Sequence, residues 1–259
     1  MQLMQTEICQ QDWIKLHNWY RKPLGKLFAK AEAATLASLL PALFGYHILA
    51  VGVPSGLNML SASPISRQYH LDCMQSGGGA LVDLAANPAC LPVASDSIDV
   101  VVACHVLEFS VEPQLILKEI DRILIPEGHV IILGFNPWSL WGLWVLWRLR
   151  KDDYIRRMGL SAIYRLRAQL SLLGYDIVAA RSYCHRPPLN NSELLDKLLF
   201  MERLGAKGWS LGGGGYALLA KKRVSTLTPV KPHWWLRRRM PTESVVNRNL
   251  EPLEGKRPS

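Results

Sequence analysis

Cysteine is sparse in this chain of 259 residues: there are five, an odd number, and no two stand in a CxxC pair. Neither a disulfide framework nor a zinc site is therefore expected, and a reducing, cytoplasmic setting suits the composition. Export is not expected either, because the first residues, MQLMQTEICQQDWIKLH, are polar where a signal peptide needs an apolar core. Nor is there an unbroken membrane span. A run without Asp, Glu, Lys or Arg extends from Gly128 to Trp147, about long enough to span a bilayer, but Asn136-Pro137 divides it into a β-branched half and a Trp-rich half, since proline has no amide donor and disrupts a preceding turn.

Excess charge is also missing from most of the chain, despite a formal net charge of +9. From Lys221 onward there are 10 Lys/Arg against 3 Asp/Glu, whereas residues 1–220 carry 20 against 18. A nearly neutral body gives a polyanion little to bind. With 49% apolar and 20% charged residues, the chain has the balance of an ordinary globular protein.

Apolar patterning divides the chain into three parts. Residues 1–45 read as a helical cover, with Leu24, Leu27, Phe28, Ala31 and Leu39 on one face after Pro23. Residues 46–223 hold apolar runs at His47–Val53, Gly79–Leu84, Ile98–Leu107, His129–Phe135, Tyr175–Tyr183 and Gly215–Lys222. A helical pattern at Val111–Leu124, stopped by Pro126-Glu127-Gly128, lies among them. Strand and helix in alternation predict an α/β fold, a doubly wound and mostly parallel sheet with helices on both faces. From residue 224 the chain is basic and rich in proline, without apolar periodicity, and is expected to be a flexible tail.

Several segments between residues 47 and 135 carry a more specific message. Ala50-Val51-Gly52-Val53-Pro54-Ser55-Gly56 closes the first strand on a glycine turn, where backbone can pass close to a ligand and a following helix can offer amide donors. Val82-Asp83-Leu84 is followed by Leu91-Pro92 and Ser97-Ile98-Asp99-Val100-Val101, then by Cys104-His105-Val106-Leu107-Glu108-Phe109 and LKEIDRILIPEG at Leu117–Gly128. In this order they resemble the methyltransferase type 11 family of class I S-adenosylmethionine-dependent enzymes. The chain departs from the family's D/E-x-G-x-G-x-G loop at Ala50 and Pro54, and Phe109 stands where the family often has His.

The resemblance implies a Rossmann-like fold and S-adenosylmethionine as cofactor. It implies cofactor contacts from Val51, Gly52, Gly56, Asp83, Leu84 and Cys104, with Asp83 ending a strand beside the adenine. Asp72 stands at a plausible distance for a ribose-binding carboxylate under a methyltransferase or a dinucleotide reading, and a surface turn is the plainer alternative. His105 is the only ordinary base in the matched stretch that titrates near neutral pH, so it is the candidate catalytic base, against a packing role. Asn136, Trp138 and Trp141 open the Trp-rich segment and are candidates for an apolar acceptor pocket, against a buried core helix or a membrane-surface contact flanked by Arg148, Arg150 and Lys151. No metal is indicated.

A small-molecule acceptor is the expected partner. Nucleic-acid contact through the basic tail, around His233–Arg239, is a lesser expectation, and oligomeric state is not legible. Two other functions compete. A silent methyltransferase-like binding protein would account for Ala50 and Pro54, and a nucleotide-binding oxidoreductase would need the G-x-G-x-x-G spacing that Pro54 and Leu57 break.

Overall fold

A computed structural model describes residues 10–53, 58–73, 82–110, 112–136, 139, 141, 162–185 and 212–223. All belong to one compact unit, Met1–Val224. The elements in chain order are α1 (Gln10–Tyr20), α2 (Pro23–Leu39), β1 (His47–Val51), β2 (Arg67–Asp72), β3 (Leu84–Ala85), β4 (Ile98–Cys104), α3 (Pro113–Ile123), β5 (Leu124–Phe135), α4 (Ala162–Leu172), β6 (Tyr175–Tyr183) and β7 (Gly215–Lys222). The strands form one sheet in the order β3-β2-β1-β4-β5-β7-β6. Only β7 runs against its neighbours.

The expected doubly wound, mostly parallel sheet is what forms. Its central strands are β-branched and apolar without alternation because both faces are covered: in β4 every residue but Asp99 is buried. Asp99 has its own task, since its Oδ2 accepts the backbone N–H groups of Tyr46 and His47 at 3.0 and 2.8 Å and so fixes the start of β1. On α3, Arg122 pairs with Glu119 at 2.7 Å and donates to the carbonyl oxygens of Leu91 and Val93. The LKEIDR motif thereby ties down the loop that leads into β4.

Three sequence expectations shift. The helical stretch at 1–45 is two helices, because Arg21-Lys22-Pro23 interrupts it and Pro23 starts α2 at the position where a missing amide costs nothing. Of the run at Gly79–Leu84, residues 79–81 lie outside the described residues, and in the described part the strand is the two-residue β3, which Leu84 opens and Asp83 precedes. Pro126-Glu127-Gly128 does not separate α3 from a later strand. It is a bulge within β5, where pairing jumps from Ile98–Leu124 to Val100–His129 and Glu127 takes a φ of 63°.

Helices α1 and α2 pack together around Gly25. An added Cβ there would lie 2.6 Å from the Tyr20 Cα and closer still to the Trp19 carbonyl oxygen. Gly25→Ala therefore sets a gain in helix propensity of about 1 kcal/mol against a backbone clash costing about 1–3 kcal/mol. The clash is expected to win, since neither opposing atom is the end of a flexible side chain. A lower denaturant midpoint at unchanged slope is the expected result.

Candidate functional site

In an open α/β sheet a ligand lies beyond the carboxyl ends of the parallel strands. Here that edge is formed by Val51 and Gly52 after β1, Asp72 ending β2, Ala85 ending β3, Cys104 and His105 after β4, Phe135 and Asn136 after β5, and Tyr183 ending β6. The chain turns sharply at Gly52, with a φ of 79°, and its N–H donates to the Leu71 carbonyl at 2.8 Å. A side chain there would press on the Cys104 carbonyl oxygen at 2.7 Å and the Trp13 ring at 2.9 Å. Glycine is required both by the left-handed conformation and by the crowding.

Asp72 sits next to this turn and is only 3% exposed. Its Oδ1 accepts the indole N–H of Trp13, from α1, at 3.0 Å, and His17 Nε2 lies 4.0 Å away. Asp83 is elsewhere. It precedes β3 rather than ending it, accepts the His70 backbone N–H at 2.8 Å and is exposed at the rim. At the true carboxyl end of β3 the Ala86 N–H donates to the Asp72 carbonyl, and Asn87 follows, exposed, with its Oδ1 holding the Ala89 N–H at 2.9 Å. The apolar run from Gly79 suggests a strand with Asp83 at its carboxyl end. Counting back from Leu91-Pro92 would have pointed to Asn87.

The middle of the edge holds a buried polar cluster. His105, with a φ of 56°, turns its ring inward after β4. Its Nε2 lies 2.6 Å from Glu32 Oε1 and its Nδ1 lies 2.8 Å from Glu108 Oε2. Glu32 comes from α2 and has no exposed surface. Tyr20 Oη, from α1, lies 3.0 Å from both its oxygens, and Tyr183 Oη, from β6, donates to Oε1 at 3.1 Å. The second Glu108 oxygen accepts the Phe135 N–H.

Facing two carboxyl groups, both ring nitrogens are placed to donate, and burial raises the Glu108 carboxyl above its ordinary value. Burial by itself would lower the His105 pKa, but Glu32 and Glu108 outweigh it and raise the value to about 10. His105 is thus an imidazolium locked in place, not the ready base that the sequence suggested. Burial, reinforced by Glu32, also holds the Tyr20 and Tyr183 phenols and the Cys104 thiol well above their ordinary ranges. The Cys104 Sγ lies 3.9 Å from Met59 Sδ in the core.

Of the candidates in the Trp-rich segment, Asn136 is 9% exposed and donates from Nδ2 to the Gly213 carbonyl at 2.9 Å, joining β5 to the start of β7. Trp141 is 3% exposed and packs on Trp19 and Phe28, with ring centroids 6.2 and 5.4 Å apart. For Trp141 burial replaces the open pocket wall and the membrane contact. Gly56, Trp138, the Arg148–Lys151 flank and the basic tail lie outside the described residues. Among the described residues no helix is long and apolar enough to cross a membrane.

A family model described as a methyltransferase domain matches residues 61–132. The Escherichia coli protein YafS, itself uncharacterised, is 32% identical over 172 residues, which is 66% of this chain and 70% of that protein. Among solved structures, an S-adenosylmethionine-dependent methyltransferase of Thermotoga maritima superposes with a TM-score of 0.60 at 16% identity, over 83% of this chain and 99% of its own. One from Archaeoglobus fulgidus gives a TM-score of 0.55 at 16% identity, over 81% and 99%.

The buried imidazolium makes a distinct prediction about stability. The folded pKa of about 10 lies above the unfolded value of about 6.5. Its contribution is fully present below pH 6.5, declines as pH rises and is gone above pH 10. Melting temperature measured across this window is expected to fall in the wild type and to fall less steeply in His105→Gln.

Proposed function

As a member of the methyltransferase type 11 family, with the fold of S-adenosylmethionine-dependent methyltransferases, the chain is, we propose, an active enzyme that takes a methyl group from S-adenosylmethionine. The observation that carries this reading is the pairing of a left-handed Gly52 turn with a buried carboxylate, Asp72, at adjacent strand ends. The residues fit the cofactor's parts. Gly52 lets backbone approach it, Asp72 can accept the two hydroxyls of its ribose, and Asn87 presents an amide at the end of β3 for an adenine edge. Val51 and Cys104, both buried, contribute through backbone and shape, as does Leu84 by setting the register of β3 against Leu71. Gly56 completes the loop in this reading.

When bound, S-adenosylmethionine supplies an electrophilic methyl group, and the transfer needs an aligned nucleophile more than an acid-base relay. The protein's part is to position the acceptor and keep water away. Trp19 and Phe135, half-buried and backed from the core by Phe28 and Trp141, leave an apolar surface beside His105, which favours a small, apolar or aromatic acceptor over a polyanion. Asn136 shapes that side by holding β5 to β7, and Trp138 follows it in sequence. His105 does not accept the acceptor's proton. It positions Glu32 and Glu108, and the acceptor brings its own lone pair.

Calorimetric titration with S-adenosylmethionine tests the reading, and heat of binding together with a raised melting temperature is expected. Absence of both, with the protein folded, would favour the silent-protein alternative. Asn87→Ala is expected to weaken binding by about 0.5–1.5 kcal/mol, the usual net worth of a hydrogen bond. Asp83→Ala is expected to lower stability by about 1 kcal/mol for its lost bond to His70, with affinity unchanged. The reverse pattern would return the adenine contact to Asp83.

A further inference from the structure

The Asp72 carboxylate that the cofactor reading requires is already taken. Trp13 is 1% exposed, and its indole spans from Asp72, where its N–H donates at 3.0 Å, to the face of Gly52. Phe109 meets the same ring edge-on, with centroids 5.8 Å apart, and His17, one turn further along α1, also faces Asp72. With Asp72 3% exposed beneath this helix, a ribose cannot reach it while Trp13 stays. The indole N–H offers the carboxylate the same donor chemistry as a sugar hydroxyl, and its ring fills the approach that Gly52 leaves open.

We propose that α1 is an internal latch: Trp13 occupies the nucleoside part of the site in the free protein and must leave before cofactor binds. The proposal rests on the S-adenosylmethionine reading above. The build of α1 suits the task. Its 11 residues are fewer than an isolated helix needs to persist in water, so it lasts only through its contacts. Tyr20 pins its carboxyl end to Glu32, while Trp13 and Leu16 hold the rest. Release of Trp13 therefore swings the amino-terminal turns outward about Tyr20 and leaves α2 in place. A latch of this kind lowers apparent affinity by the fraction of molecules that are open.

Two measurements on the full chain test it. In titrations with S-adenosylmethionine, Trp13→Phe, which keeps a ring but has no donor, is expected to bind more tightly than wild type, and Trp13→Ala more tightly still, by about tenfold or 1.4 kcal/mol. In hydrogen exchange, saturating cofactor is expected to speed exchange in α1 of the wild type while slowing it around Gly52. If wild type binds and both variants bind more weakly, or if α1 becomes better protected on binding, Trp13 is a cofactor contact and the latch is wrong, with the cofactor reading intact. If neither wild type nor Trp13→Phe binds, though melting curves show both folded, the latch falls together with the cofactor reading.

Discussion

The carboxylate of Glu32 is the constraint on which the arrangement of this edge depends. It stands on the apolar face of a helix with no exposed surface, and an ionised group so placed is severely destabilising unless it is paired and bonded. Three separate parts of the chain meet that requirement. Tyr20 supplies a donor from α1, His105 from the turn after β4, and Tyr183 from the end of β6, while Glu108 holds the far side of the imidazolium. Removing any one donor would leave the buried Glu32 carboxyl short of a hydrogen bond, so the two amino-terminal helices and the strand ends are held in a single geometry. Apolar packing of Phe28 against Phe135 and Tyr183 would hold them together as well, but with less discrimination among orientations, because dispersion is not directional.

The cluster was poorly legible in the sequence for a specific reason. His105 stood out as a titratable residue in a matched stretch, yet its protonation state is decided by Glu32, 73 residues away along the chain. One local signal was present. Glu32 lies four residues from both Phe28 and Leu36, so it falls on the apolar stripe of α2 rather than on its polar side, and a carboxylate there announces a buried partner. Trp13, Leu16 and Tyr20 form a similar stripe on α1, but nothing in its spacing tells which strand end it covers.

The sheet itself was legible because strands buried on both faces are continuous apolar runs, and β1, β4, β6 and β7 begin where those runs begin. β3 was not, since two residues at the margin of the sheet carry no periodicity. Without that signal the adenine-side expectation falls on Asp83, a residue that accepts the His70 N–H. The bulge in β5 was hidden for a related reason: Pro-Glu-Gly reads as a turn, and only pairing with β4 on both sides shows that the strand continues through it.

Both ends of α1 are anchored to the strand edge, though by unequal bonds. At Tyr20 the partner is a fully buried carboxylate that two other elements also need, so this contact is lost only when the whole cluster opens. At Trp13 the partner is the Asp72 carboxylate, which accepts the neutral indole N–H at 3.0 Å, and a neutral donor on a carboxylate is the kind of bond that a sugar hydroxyl can replace at little net cost. Any equilibrium opening of α1 therefore starts at the Trp13 end. The aromatic layer around Trp19, Phe28, Phe135 and Trp141 lies beside the firmly held end. A group seated on that layer would meet a surface already fixed by Glu32, whereas a nucleoside at Asp72 would meet the end of the helix that gives way. By linkage, whatever holds Trp13 down opposes nucleoside binding by the same free energy with which the nucleoside opposes it.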